Sequence, residues 1–147
     1  MRMTKLYSTD MRDTSPISQI IKCLVDGKRV KCADDRMIYP TYVEDIARAI
    51  DLLIQKSLLG IYRVVGSDRF TRYSLGQLIA TTIGKRAWLK RCSISDFSFA
   101  ESQLVDTSLK TSKFASAVNM SFTRLGRILP KILKLYNLKI YEKKGLL

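Results

Sequence analysis

The sequence predicts an α/β fold. Apolar residues recur at helical spacing in several segments, short β-branched runs stand between those segments, and Gly and Pro together occupy only ten positions. Alternation of helices with short strands is the pattern of an α/β domain. At 147 residues the chain has the size of one domain, and burying roughly two thirds of its unfolded surface is within reach.

The elements follow in order. Residues 2–7, RMTKLY, read as a short strand that leads into the polar loop STDMRD. In TSPISQIIKCLVDGK, Ser15 stands as helix N-cap and Pro16 suits the first helical position. Ile17, Ile20, Ile21 and Leu24 then form one apolar stripe, and Gly27 ends the helix. Arg29 to Ala33 is a short strand, and DDRMIYP a loop. In YPTYVEDIARAI, Pro40 fixes its own φ and pushes Tyr39 toward an extended shape. Thr41 is placed to cap the next helix through its hydroxyl, with Glu44 three residues on completing a capping box. Glu44 and Asp45 also lie at the positive end of that helix dipole, and Asp45 reads as a dipole or loop-anchoring carboxylate. Ile46, Ala49, Ile50, Leu53 and Ile54 are its expected buried face.

GIYRVVG is the next strand, bounded by Gly60 and Gly66. A loop and helix follow in SDRFTRYSLGQLIATTIGK, with Leu75, Leu78, Ile79 and Ile83 facing inward. AWLKRCSI reads as a strand, and DTSLKTSKF as a turn or short helix. The last segment, TRLGRILPKILKLYNL, is amphipathic. Arg124, Arg127, Lys131 and Lys134 recur at spacings of three and four opposite Leu125, Ile128, Leu129, Ile132 and Leu133. Pro130 predicts a break or fresh start within it.

The net charge is +13, unevenly spread: residues 85–147 hold 13 basic against 4 acidic residues, and residues 1–84 hold 13 against 9. A basic tail attracts phosphates, nucleic acid or an acidic partner, or forms the solvated face of ordinary helices. No zinc finger, RNP-like aromatic pair or GXXG clamp accompanies it, which argues against a nucleic-acid module. Cys23, Cys32 and Cys92 fit no paired metal or redox spacing, and histidine is absent. That removes Ser–His and Cys–His nucleophile pairs and most zinc sites, so no metal site is expected. No apolar run approaches the ~20 residues of a membrane span, and the N-terminus lacks a hydrophobic signal core. The expectation is a soluble, cytoplasmic protein.

The order of RMTKLYS, YPTYVEDIARAI, LGIYRVVGS, YSLGQLIATTIG and VDTSLKTSKF resembles the C-terminal half of the extended short-chain dehydrogenase/reductases. Within them it is most similar to the dTDP-4-dehydrorhamnose reductase group, whose second half binds the nucleotide-sugar. The similarity runs from Arg2 to about Leu133. It implies the C-terminal half of a Rossmann-like fold, a single substrate-binding domain over 1–147 with a basic segment at 122–147, and a place in deoxysugar or polysaccharide synthesis. It also implies substrate-binding roles for Thr4, Tyr7, Arg36, Pro40, Thr41, Lys110 and Lys113. The residues themselves agree only in part. Thr4 and Tyr7 end a strand, where α/β sheets present ligand-binding groups, and a guanidinium such as Arg36 suits an oxyanion. A sheet-end pair with satisfied hydroxyls at Thr4 and Tyr7, a loop salt bridge from Arg36 to Asp34 or Asp35, a helix cap at Thr41 and solvated lysines at 110 and 113 are the alternatives.

The sequence departs from the family in three places. Lys5 replaces an aromatic of the first strand, Ser8 replaces the following glycine, and SQLV stands where an Arg-Pro is usual. Two elements of the redox chemistry are missing from these residues. No trio among Gly27, Gly60, Gly66, Gly76, Gly84, Gly126 and Gly145 has the spacing of a dinucleotide-binding turn. None of the seven tyrosines is followed four residues later by lysine, the neighbour that lowers a phenol pKa for proton transfer. The reading is therefore a nucleotide-sugar-binding half with no catalytic residue and no cofactor site of its own. NADP(H) or NAD(H) would enter only with a Rossmann half supplied by a partner. A homo-oligomer or such a hetero-partner is expected, because the edge strand left behind would be exposed. The rival reading is a non-catalytic regulatory or scaffolding subunit, like that of methionine adenosyltransferase. A second rival is a basic nucleic-acid-binding module.

Overall fold

The computed structural model describes residues 1–84, 88–97 and 111–143. In chain order the elements are β1 (Arg2–Met3), β2 (Leu6–Tyr7), α1 (Pro16–Val25), β3 (Val30–Ala33), β4 (Met37–Ile38), β5 (Thr41–Tyr42) and α2 (Val43–Gln55). They continue with β6 (Arg63–Val64), β7 (Phe70–Thr71), α3 (Arg72–Ile83), β8 (Leu89–Cys92), α4 (Ser112–Ala117) and α5 (Leu125–Lys143). Three strand pairs are parallel, β1 with β6, β2 with β5 and β3 with β8, while β4 and β7 pair antiparallel. Parallel neighbours require long crossovers, and α1, α2 and α3 lie within them. This is the mixed α/β architecture the sequence predicts.

The strand expected over residues 2–7 is two strands with different partners. Between them Thr4 turns its hydroxyl to the Tyr39 carbonyl (2.6 Å), a side-chain bond where a continuous strand would carry a ladder bond. The expected loop DDRMIYP contains β4, which pairs with the loop-entry residues of β7.

Helix α1 forms as its sequence dictates. Ser15 accepts from the Ser18 N–H, Pro16 takes the first position, Gly27 adopts φ +74° just beyond the end, and Ile17, Ile20, Ile21 and Leu24 are all buried. They pack with Leu75, Ile79 and Ala80 of α3 and with Leu125, Ile128, Leu129, Ile132 and Tyr136 of α5 around Cys32. A second, smaller cluster joins Ile46 and Ala49 of α2 to Tyr62, Val64, Phe114 and Val118.

Three expectations are corrected here. Thr41 does not cap α2. It belongs to β5, donates its backbone N–H to the Lys5 carbonyl (2.9 Å) and accepts the Gly66 N–H on its hydroxyl (2.8 Å). Tyr42 is the N-cap and makes no side-chain cap bond, while its hydroxyl donates to Glu44 (2.7 Å). The apolar face of α2 is only partly buried: Ile46 and Ala49 are covered, but Ile50 is 42% and Ile54 70% exposed. Helix α5 runs through Pro130. Pro130 and Gly126, whose carbonyl loses its i+4 donor, both lie on the exposed face, where water can take that carbonyl. Burial of Leu125, Ile128, Leu129 and Ile132 on the other face holds the axis.

Candidate functional site

The loop from β2 to α1 is organised by one carboxylate. Asp13 accepts from the Ser8 N–H (3.1 Å), the Ser15 N–H and hydroxyl (both 2.8 Å) and the Ser18 hydroxyl (3.2 Å). These bonds fix the start of α1 at the rim of a cavity of about 580 Å³. Arg36, Lys5 and Arg72 line the same cavity, together with Leu6, Ala33, Ile38, Ile94 and Phe97.

Arg72 is the first residue of α3, whose N-cap Thr71 and Ser74 form a reciprocal capping box. One terminal nitrogen of Arg72 donates to the Gln19 side-chain oxygen (3.0 Å), which holds the guanidinium against α1. Its Nε is buried, and the guanidinium also reaches the Cys32 thiol. Residues at the starts of α1 and α3 thus line one space together with Lys5 and Arg36, and with the Asp13 carboxylate among them. Helix N-termini and fixed guanidinium groups both favour anions. Behind this wall, burial pushes the Cys32 thiol up to about 11, with Arg72 opposing the shift, so Cys32 is a core residue and no nucleophile.

The carboxylates nearest Arg36 in sequence have other partners. Asp34 accepts from the Thr71 hydroxyl (2.6 Å) and forms an ion pair with Arg91. Asp35 accepts from the Ser93 hydroxyl and the Ile94 N–H.

Of the residues the sequence nominates, Arg36 lines the cavity. Thr4, Pro40 and Thr41 do not line it and lie close to one another. The Thr4 and Thr41 hydroxyls are 3.4 Å apart and the Thr4 hydroxyl is bonded to Tyr39. A Cβ on Gly66 would stand 2.8 Å from the Pro40 carbonyl oxygen, so this crossing needs glycine. Tyr7 is 2% exposed, with its ring 5.4 Å from that of Tyr42. Its hydroxyl is buried without a partner among the described residues, and burial, then Asp68 and Asp45, hold its pKa far above the ordinary phenol value. Lys113 is elsewhere, its ammonium 4.4 Å from the centre of the Tyr62 ring, a cation–π contact on the smaller cluster. Lys110, with the segment 98–110, lies outside the described residues.

Asp45 is the loop anchor that the sequence suggests. It is 1% exposed and accepts the Thr123 N–H (2.6 Å) and hydroxyl (2.8 Å) as well as Arg48. Asp68 accepts the Leu125 N–H (2.6 Å) and pairs with Arg124, so two carboxylates seat the start of α5. Of the basic stripe on α5, Arg124 is thus paired, and Arg127, Lys131 and Lys134 are exposed.

Sequence reasoning missed Lys5, Arg72, Asp13 and Asp68. Only Arg72 carried a usable signal, a cation immediately after a Thr-capped helix start. Among the described residues no group of three or more Cys, Asp or Glu could hold a metal ion, and no helix is long and apolar enough to cross a membrane.

Solved structures share this fold. The dTDP-4-dehydrorhamnose reductase from Bacillus anthracis, solved in complex with NADP, superposes with a TM-score of 0.76 at 17% identity, covering 90% of this chain and 46% of that one. A dTDP-4-dehydrorhamnose reductase from Clostridium acetobutylicum gives 0.71 at 18% identity, over 95% and 47% of the two chains. A UDP-N-acetylglucosamine 4-epimerase from Bacillus cereus gives 0.72 at 16%, over 92% and 47%. The chain therefore spans just under half the length of these proteins. No curated protein sequence matches it significantly. Residues 1–137 match the family described as the RmlD substrate binding domain, which agrees with the order of elements. This chain belongs to the RmlD substrate-binding domain family.

Proposed function

We propose that the chain binds a nucleotide-sugar in the cavity bordered by α1 and α3, as the substrate-holding part of a dTDP-4-dehydrorhamnose reductase-like activity. The observation that carries this is the meeting of Lys5, Arg36 and Arg72 in one cavity at the starts of α1 and α3. A nucleoside-diphosphate sugar presents two negative phosphates at its centre, and guanidinium groups bind such oxygens bidentately. The apolar lining from Leu6, Ile38 and Phe97 suits the base and the faces of the sugar ring. Arg72 takes the place of the arginine missing from the SQLV stretch. Thr4, Tyr7, Pro40 and Thr41 then act indirectly, by holding β2 and β5 together, and Lys113, laid on the Tyr62 ring, takes no part.

The residues present do not fit a nicotinamide dinucleotide. The strand-to-helix junctions β2–α1, β5–α2 and β7–α3 contain no glycine, and the pyrophosphate of such a cofactor needs glycine for close backbone approach. In the proposed activity the cofactor sits on a separate Rossmann lobe, and this chain binds and orients the sugar nucleotide.

Calorimetric titration with dTDP-glucose and with dTDP tests the reading. Saturable one-to-one binding is expected, weakened about tenfold or more by Arg36→Ala and by Arg72→Ala, in line with the ~1.5–3 kcal/mol of a charged hydrogen bond. No saturable heat with either ligand would refute it and favour the scaffolding alternative.

A further inference from the structure

We infer that Gln19 is the positioning residue of the cationic cavity: it holds the Arg72 guanidinium in place without neutralising it, and so sets the cavity's preference for phosphoryl anions. The inference rests on the reading that the cavity receives phosphates, and it adds how the charge that meets them is kept free.

The Gln19 side chain is engaged at both of its polar atoms. Its amide nitrogen donates to the Thr14 carbonyl (2.8 Å), which turns the amide oxygen toward Arg72. That oxygen accepts from a terminal nitrogen of Arg72 (3.0 Å). Both residues line the cavity, Gln19 from α1 and Arg72 from α3. On the core side the guanidinium reaches the thiol of Cys32. Cys32 is fully buried, and burial keeps its thiol protonated at neutral pH. Arg72 is therefore held between an amide oxygen and a thiol, both of them neutral.

Other arginines are held differently. Arg12, Arg48, Arg91 and Arg124 are each paired with an aspartate, whereas among the described residues Arg72 forms no ion pair. The carboxylates around it are occupied. Asp34 accepts from the Thr71 hydroxyl, one residue before Arg72, but its ion pair is with Arg91, whose guanidinium also lies 5.6 Å from the centre of the Tyr73 ring. Asp13 lines the same cavity and directs both oxygens at Ser8, Ser15 and Ser18. A carboxylate on Arg72 would compete with a phosphate for the same N–H donors. An amide oxygen fixes the planar guanidinium and leaves its charge whole. Its remaining donors are then oriented before the ligand arrives, which lowers the ordering cost of binding.

The discriminating substitution is Gln19→Glu, which keeps the size of the side chain and its acceptor but makes that acceptor an anion. Gln19→Leu removes the acceptor, and both variants lose the bond to Thr14. Gln19 is exposed near the start of α1, where the helix dipole favours a carboxylate, so both variants should unfold as the parent does. The measurement is a titration of the full chain with inorganic pyrophosphate, followed at the Arg72 Nε–Hε resonance, which reports this cavity apart from the basic surface. Gln19→Glu should raise the Kd about three- to fivefold, the strength of an exposed ion pair, and Gln19→Leu by no more than about twofold. Lys134→Gln removes one positive charge on the exposed face of α5, outside the cavity, and should leave the Kd unchanged. A merely structural Gln19 predicts the opposite order, with Gln19→Leu the more harmful, and that order or equal effects would overturn the inference. So would a Lys134→Gln effect as large as that of Gln19→Glu, or an Arg72 signal that pyrophosphate does not move. The expected order without saturable binding of dTDP-glucose removes the nucleotide-sugar reading alone. Saturable dTDP-glucose with the opposite order removes this inference alone.

Discussion

Helices α1 and α2 have the same kind of sequence and different fates. Each carries isoleucine and leucine at spacings of three and four, yet Ile17, Ile20, Ile21 and Leu24 are at most 1% exposed while Ile50 and Ile54 face outward. Helix α1 is enclosed by α3, α5 and β3, whereas among the described residues α2 packs on β5, β6, α4 and their neighbours on one flank. Periodicity tells which face of a helix is apolar. What covers that face is a property of the rest of the chain or of another chain. The enclosed region borders the cationic cavity, and the open region does not.

The contrast can be broken most forcefully in the enclosed region. Leu24→Ala should lower stability by about 2–5 kcal/mol, read as a shift in the urea midpoint at unchanged slope. A loss below 1 kcal/mol would mean that the enclosed core is looser than its burial indicates. Next in size is the link between the regions. Asp45→Ala removes the acceptor for the Thr123 N–H and hydroxyl and should cost about 1.5–3 kcal/mol. Amide exchange should rise first at the head of α5.

A pH series sharpens the comparison. Cys32 is buried, and its folded pKa is raised from 9.0 to about 11. An acid whose folded pKa is raised contributes stability that is complete below its unfolded pKa. That contribution is lost as pH rises toward the folded value, because the unfolded thiol ionises first. Stability should therefore fall between about pH 9 and 11, by on the order of 1–3 kcal/mol from this group. Cys32→Ala should flatten that limb, measured by thermal unfolding against pH. The smallest effect belongs to the open region. Ile54→Glu should change the stability of the isolated chain by less than about 0.5 kcal/mol, and a loss of several kcal/mol would mean that Ile54 is covered in solution.

Much of the fold was legible because local rules and tertiary packing agree. Ser15, Pro16, the stripe of α1 and Gly27 each do what their types and spacing dictate, as do Leu75 and Ile79 in α3. The failures occur where partners distant in sequence compete. Thr41 has the chemistry of a cap, but Leu6 and Gly66 claim it for β5. Pro130 has the chemistry of a helix breaker, but four buried side chains outweigh one exposed carbonyl. The site was less legible than the fold. Arg36 was visible as a loop cation, but its grouping with Lys5 and Arg72 depends on how β2 and the starts of α1 and α3 converge. Lys113 shows the reverse case, a lysine near a family motif that the fold lays on the Tyr62 ring.

The most direct measurement is an amide chemical-shift map of the labelled 16.8 kDa chain during titration with dTDP-glucose. Saturable shifts should gather at Thr14–Gln19, at Ala33–Ile38 and at Arg72, leaving Ile50–Ile61 unmoved. Shifts centred on Ile50–Ile61, or none at saturating ligand, would contradict the account.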